Sequence, residues 1–289
     1  MRLVSFNGPG GRREIGAVEG EQVIELAGGE SAPHDLELFI AGGKECLERA
    51  RHTIEQAPDS ARHRLAGLRF RPLIENAGKY LCLGLNYADH AAEGGFEKPD
   101  YPAFFMRSHT TLVGHNEPIV RPRVSEKLDY EAELAVIIGR RGRHVPESDA
   151  LDYVAGYSCF NDASIRDYQR RSTQWTIGKN FDATGAFGPM LVTPDELPPG
   201  ASGLRIQSRL NGEVMQDTNT SGMIFSVAKT IALLTECCTL EPGDVIAMGT
   251  PAGVGFARRP RVWMKPGDVI EVEIEGIGVL RNPIVAEAA

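Results

Sequence analysis

Glu131, Glu133 and Asp162 are the residues of this chain whose types and spacing point most directly to chemistry. The two glutamates sit in DYEAELAVIIG, and alternate residues of a strand project from one face. Like charges side by side on a sheet face repel, so a Glu-x-Glu pair running into an apolar strand calls for an offsetting positive charge. Asp162 follows in CFNDASIRD, where a strand gives way to a loop, a frequent place for functional groups. Oxygen donors of this kind suit Mg²⁺, Mn²⁺ or Ca²⁺, and no Cys/His spacing argues for zinc. The competing reading of the spacing is a solvated strand face with two surface glutamates.

His90 and Glu93 lie three apart in NYADHAAE. On a helix they face each other, and a carboxylate beside an imidazole fixes its tautomer and raises its basicity. Such a pair can deprotonate a water. His109 and His115 flank TTLVG without an acid so placed. Lys179 lies in WTIGKNFDATGAFGP, where Gly178, Gly185, Gly188 and Pro189 predict a shaped loop. A lysine there can hold a carboxylate or a developing enolate. Arg107 and Arg166 offer guanidinium forks for a carboxylate. Thr250, in MGTPAGVG, sits on a Gly-rich loop after a strand, where backbone N–H groups could cradle an anion. That loop lacks the GK[ST] ending and following helix of a phosphate-binding loop, which excludes nucleotide binding.

These groups need a scaffold. The 289 residues, 42% hydrophobic, can bury a sizeable core. A formal net charge of -8 argues against a nucleic-acid binder. The five cysteines are irregularly spaced, and most read as small buried hydrophobes in a reducing compartment. No apolar stretch nears the roughly twenty residues that span a bilayer, and MRLVSFNGPGG lacks a signal-peptide core. The expectation is a cytoplasmic protein with no membrane partner.

Residues 1–70 read as a small unit of short strands, MRLVSF, REIGAVEG and EQVIEL, with a helix from Lys44 to about Gln56. Residues 71–289 form the main body. KYLCLGLN reads as a buried strand and LDYEAELAVII as one of about ten residues. Asn211-Gly212 predicts a hairpin, and Ser226 caps a helix over SVAKTIALLTECC. PGDVI, at 242–246 and again at 266–270, reads as a tight turn feeding a strand. Strands and long helices do not alternate regularly, so a strand-rich α+β fold is expected rather than a Rossmann fold or TIM barrel.

Seven ordered segments together resemble the fumarylacetoacetate hydrolase family: GLNYADHAAE (84–93), DYEAELAVIIGR (129–140), DYVAGYSCFNDASIRDYQ (152–169), GKNFDATGAFGPMLVTPDE (178–196), LNGEVMQDTNTSGMIF (210–225), PGDVIAMGTPAGVG (242–255) and PGDVIEVEIEGIGVLRNP (266–283). The resemblance covers about residues 79–285. It implies a rolled, mainly β catalytic domain, a small N-terminal α+β domain and a homodimer. It makes Glu131, Glu133 and Asp162 the ligands of Mg²⁺ or Mn²⁺, and His90 and Glu93 a water-activating pair on a segment that orders over substrate. Lys179 matches the family's active-site lysine and Thr250 the threonine beside the substrate. Where many relatives carry a lysine, this chain has Arg107, which keeps the charge and changes the donor geometry. Arg107, Arg166, Tyr168 and Gln169 are candidates for the variable end of the ligand.

The implied activity is hydrolysis of a carbon–carbon bond in an acylpyruvate or related 1,3-dicarbonyl 2-oxo acid, such as fumarylpyruvate, maleylpyruvate or fumarylacetoacetate. A decarboxylase, or a tautomerase or hydratase, would use the same groups. A catalytically inactive 2-oxo acid binding protein would be expected to show a broken ligand set or acid–base pair, and neither is broken.

Overall fold

The computed structural model describes residues 1–26, 33–95 and 97–288. The architecture is strand-rich α+β, with an eleven-stranded sheet, a five-stranded sheet and one short two-stranded ladder. The strand Ala132–Ile138 is buried along its whole length. Ala132, Leu134, Val136 and Ile138 pack into one core, while Ala135 and Ile137 pack into a second on the opposite face. This is the period of two that a strand enclosed on both faces imposes.

Register brings distant residues to the end of this strand. It pairs antiparallel with Val154–Asn161, with Ala132 opposite Asn161 and Glu133 opposite Phe160. Asp162 comes next, and its N–H donates to Glu131 O at 3.0 Å. On its other side the strand pairs with Val245–Ala247, which in turn runs parallel to Tyr80–Gly84. Two parallel strands end at the same edge of a sheet, so the segments after Gly84 and after Ala247 start side by side.

Asn86 fastens those segments together. It is fully buried. Its amide donates to Met248 O at 2.7 Å and Phe225 O at 3.1 Å, and its Oδ1 accepts from Phe225 N at 2.7 Å. Gly249, at φ +86, comes so close that a Cβ there would lie 2.7 Å from Asn86 Cβ.

The expected ten-residue strand is interrupted. Leu128–Asp129 pairs with Ser164–Ile165, and the main ladder resumes only at Ala132. Side chains replace the missing ladder bonds: Glu131 N donates to Asn161 Oδ1 at 3.0 Å and Ala132 N to Gln216 Oε1 at 3.0 Å. The Gly-rich segment around Lys179 also differs from a plain loop. Thr176–Lys179 is a single helical turn, and Gly185–Val192 is a strand of the large sheet. The strands Arg2–Asn7, Arg13–Glu19 and Gln22–Glu25 join that sheet where Arg2–Asn7 pairs with Gly185–Val192.

Local signals elsewhere match the sequence. Asn211 and Gly212 both have positive φ, 53 and 83, and turn the hairpin Arg205–Leu210/Glu213–Asn219. Ser226 accepts from Lys229 N at 3.1 Å and caps the helix Val227–Cys237. In the two PGDVI turns, Asp244 accepts from Glu241 N at 2.8 Å and Asp268 from Lys265 N at 2.9 Å. All five cysteines are free. No helix among the described residues is long and apolar enough to cross a membrane.

Asn86→Ala would strand three buried backbone groups. It is expected to lower stability by about 3 kcal/mol, since each unpaired buried group costs roughly 1–3 kcal/mol. Urea unfolding monitored by circular dichroism would show this, and an unchanged midpoint would show that Asn86 does not fasten the two segments.

Candidate active site

Glu131, Glu133 and Asp162 converge at the end of the central strand. Each offers a carboxylate oxygen, and these oxygens lie within 4.8 Å of one another. The residues are 4%, 1% and 0% exposed, which rules out a solvated strand face. Three cations are buried with them. Lys179 Nζ donates to Glu131 Oε2 and Asp162 Oδ2, both at 2.6 Å, and to Asp162 O at 3.2 Å. Arg166 pairs with Glu131 Oε1 at 2.8 Å and with Asp129 Oδ2 at 2.8 Å. Arg107 Nη1 donates to Asp162 Oδ1 and to Ala163 O.

The acids respond differently to this field. Burial alone would raise the pKa of Glu131, but the charges of Lys179 and Arg166 overcome it and hold the group down at about 2. Glu133 is pushed well up by burial and by the neighbouring charges of Asp162 and Glu131. Its Oε2 accepts from Gly249 N at 2.9 Å, and it has no ion-pair partner among the described residues. Burial would strip the proton from Lys179, yet Asp162 and Glu131 more than compensate and its pKa is raised.

A hard divalent cation fits this donor set. The donors are all oxygen, and their 4.8 Å spread is close to the roughly 4 Å that separates opposite ligands of an octahedral Mg²⁺. Glu133, buried without a counter-charge, is the group such a cation would neutralise.

The helix Ala88–Glu93 faces this cluster. His90 Nδ1 and Glu93 Oε1 are 2.8 Å apart. The other carboxylate oxygen of Glu93 accepts from Gly253 N at 2.9 Å, which ties the helix to the loop after Ala247. With Nδ1 donating to Glu93, His90 Nε2 carries the lone pair.

His90, Glu93, Glu131, Glu133, Lys179 and Thr250 line one cavity of about 540 Å³. Arg166 and Gln169 also line it, joined by a bond from Arg166 Nη1 to Gln169 Oε1 at 2.9 Å. Gly84 makes room in the wall for Trp175, because a Cβ there would lie 2.0 Å from the indole ring. Thr250 is held by its neighbours: its hydroxyl donates to Ala132 O at 2.9 Å and accepts from Gln216 Nε2 at 2.8 Å.

Two residues expected at the variable end of a ligand lie elsewhere. Arg107 is buried behind Asp162, spanning Thr111 and Thr184 at 3.1 Å each. Its length lets it brace the acid from the far side. Tyr168 packs edge-on against Phe181, under the Arg171 guanidinium, and lies outside the cavity wall.

Asp129 emerges only from the structure. Fully buried, it accepts from Arg166 Nε, Gly255 N at 2.8 Å and Phe256 N at 3.0 Å. It thereby joins the Gly-rich loop to the acid cluster. It stands two residues before Glu131, in step with the Glu-x-Glu alternation, but its partners Arg166, Gly255 and Phe256 are distant in the chain, so the spacing alone assigned it no role.

Residues 79–285 match the fumarylacetoacetate (FAA) hydrolase C-terminal family. The chain belongs to this family. It is 38% identical over 293 residues to the mitochondrial oxaloacetate tautomerase fahd2 of Xenopus laevis, covering 99% of this chain and 90% of that protein. Fumarylacetoacetate hydrolase from psychrophilic Exiguobacterium antarcticum superposes with a TM-score of 0.85 at 34% identity, covering 99% of this chain and 100% of that one. Maleylpyruvate hydrolase from Sphingobium sp. SYK-6, in complex with manganese(II) and pyruvate, gives 0.84 at 25% identity over 100% of both chains. The strand-rich α+β fold with mixed sheets is the one shared with these solved structures.

Glu133→Gln keeps the shape of the side chain and removes the charge available to a metal. It is expected to weaken Mn²⁺ binding by at least about tenfold, in line with losing one charged ligand. In the unaltered protein a proton competes with the metal for Glu133, so affinity should rise with pH. Calorimetric Mn²⁺ titrations at several pH values check both; equal affinity for the two proteins would exclude Glu133 as a ligand.

Proposed function

We propose that this chain moves a proton at the carbon beside the ketone of a 2-oxo dicarboxylate, interconverting keto and enol forms of an oxaloacetate-like acid. The observation that carries the reading is the hydrogen-bonded His90–Glu93 pair in the wall of a cavity that also exposes buried carboxylates. The likeness to an oxaloacetate tautomerase across 99% of the chain supports the substrate class. A divalent cation held by Glu131, Glu133 and Asp162 would supply Lewis-acid charge that acidifies the C–H bond.

The residues divide the remaining work. His90 Nε2 accepts the proton from carbon and returns it to the ketone oxygen, so no atom is gained or lost. Glu93 steadies the imidazolium formed in between, and Gly253 N–H steadies Glu93. Lys179 and Arg166 stabilise negative charge as it moves to oxygen. All three Lys179 N–H groups already have partners; the bond to Asp162 O, the longest at 3.2 Å, is the one a substrate oxygen would replace.

A second reading is hydrolysis of an acylpyruvate. A cavity of about 540 Å³ is roomier than a four-carbon acid needs, and the likeness to a maleylpyruvate hydrolase favours a longer substrate. The same pair would then deprotonate a water, and cleavage would yield a carboxylic acid and pyruvate.

With Mn²⁺ present, the protein is expected to speed decay of the oxaloacetate enol, followed by ultraviolet absorbance. His90→Gln should lower kcat by about 100-fold or more, the usual loss with a general base, and leave Mn²⁺ affinity unchanged. Full activity in the His90 variant would defeat the assignment. Cleavage of an acylpyruvate in labelled water, with label in the released acid and no tautomerase activity, would select the second reading. Release of CO₂ would select decarboxylation instead.

A further inference from the structure

We infer that Arg170 sets specificity, its guanidinium receiving the far carboxylate of a 2-oxo dicarboxylate. This deepens the proposed function and rests on the cavity being a 2-oxo acid site.

The charges of the cavity lead to this residue. Lys179 is spent on Glu131 and Asp162, Arg166 on Glu131 and Asp129, and Arg107 lies behind Asp162. Arg166 keeps one nitrogen, Nη2, without a hydrogen-bond partner, but two buried carboxylates already match its charge, and the donors of Lys179 and Arg107 are engaged. Arg170 lines the same cavity and has no carboxylate partner among the described residues. It follows Gln169 directly, at the end of the short helix Arg166–Gln169.

Its position is held without using its donors. The guanidinium carbon lies 3.6 Å from the centre of the Phe256 ring, and Arg261 approaches the same ring at 4.9 Å. Stacking occupies the face of a guanidinium and leaves its in-plane N–H fork for a carboxylate. Phe256 is itself anchored, because its N–H donates to Asp129 Oδ2, the oxygen that also accepts from Arg166. The platform under Arg170 and the cation beside Glu131 therefore share one buried acid. The adjacent Arg171 does not compete for the role; it stacks on Tyr168, outside the cavity wall.

Calorimetry on the Mn²⁺-loaded protein, with oxaloacetate and pyruvate as probes, tests the inference. The two acids share the 2-oxo carboxylate end and differ by the far carboxylate. Arg170→Met is expected to weaken oxaloacetate binding by about tenfold to a hundredfold, the usual range for a charge-assisted pair, and to leave pyruvate binding unchanged. Arg170→Lys should recover part of the loss. Equal weakening of both acids, or of neither, would overturn the role of Arg170 while the 2-oxo acid site stands. If the unaltered protein binds neither acid, the site reading and the inference fall together. Arg170 is exposed, so matching thermal unfolding curves would confirm that the variants remain folded.

Discussion

Burying Glu131, Glu133 and Asp162 against one another is the constraint on which the rest of the site depends. Two like charges 4 Å apart repel by about 4 kcal/mol at an effective dielectric of 20, and here the donor oxygens lie within 4.8 Å. Lys179, Arg166 and Arg107 are the response, each buried and each paired. They satisfy Glu131 and Asp162 and leave Glu133 with a single backbone N–H. The cluster is therefore strained toward a further positive charge, which gives a physical reason for metal binding that does not depend on family likeness.

The fold works as a device for meeting that constraint. Antiparallel register sets Asp162 beside Glu131, and parallel pairing brings the segments after Gly84 and Ala247 to one edge. The first segment carries His90 and Glu93, and the second carries Thr250 and Gly253. Asn86, Gly249 and the Glu93–Gly253 bond hold the two in contact. Asp129 completes the frame by tying the Gly-rich loop to Arg166. Rigid strand ends and side-chain amides, rather than long helices, position the chemistry.

Much of this was legible where the signal is local. The hairpin at Asn211-Gly212, the Ser226 cap and the paired PGDVI turns depend on neighbours in the chain, and short-range rules reach them. The Glu-x-Glu alternation and the i, i+3 spacing of His90 and Glu93 are local in the same sense. The break at Tyr130–Glu131 was not legible, because the groups that replace the ladder, Asn161 and Gln216, come from distant strands. Arg107 was misplaced for a related reason. Its charge and length are visible in the chain, but the side of Asp162 from which it approaches is not.

The sequence by itself determined which residues could hold a cation, which could trade a proton, and that the scaffold would be strand-rich. Those properties follow from side-chain chemistry and from periods of two and of three to four residues. Only the tertiary structure decided which charges cancel. Lys179 and Arg166 are paired with buried acids, Arg107 is hidden behind Asp162, and Arg170 lines the cavity with no carboxylate partner among the described residues. Coulomb energy depends on distance and burial, and neither is a property of position along the chain.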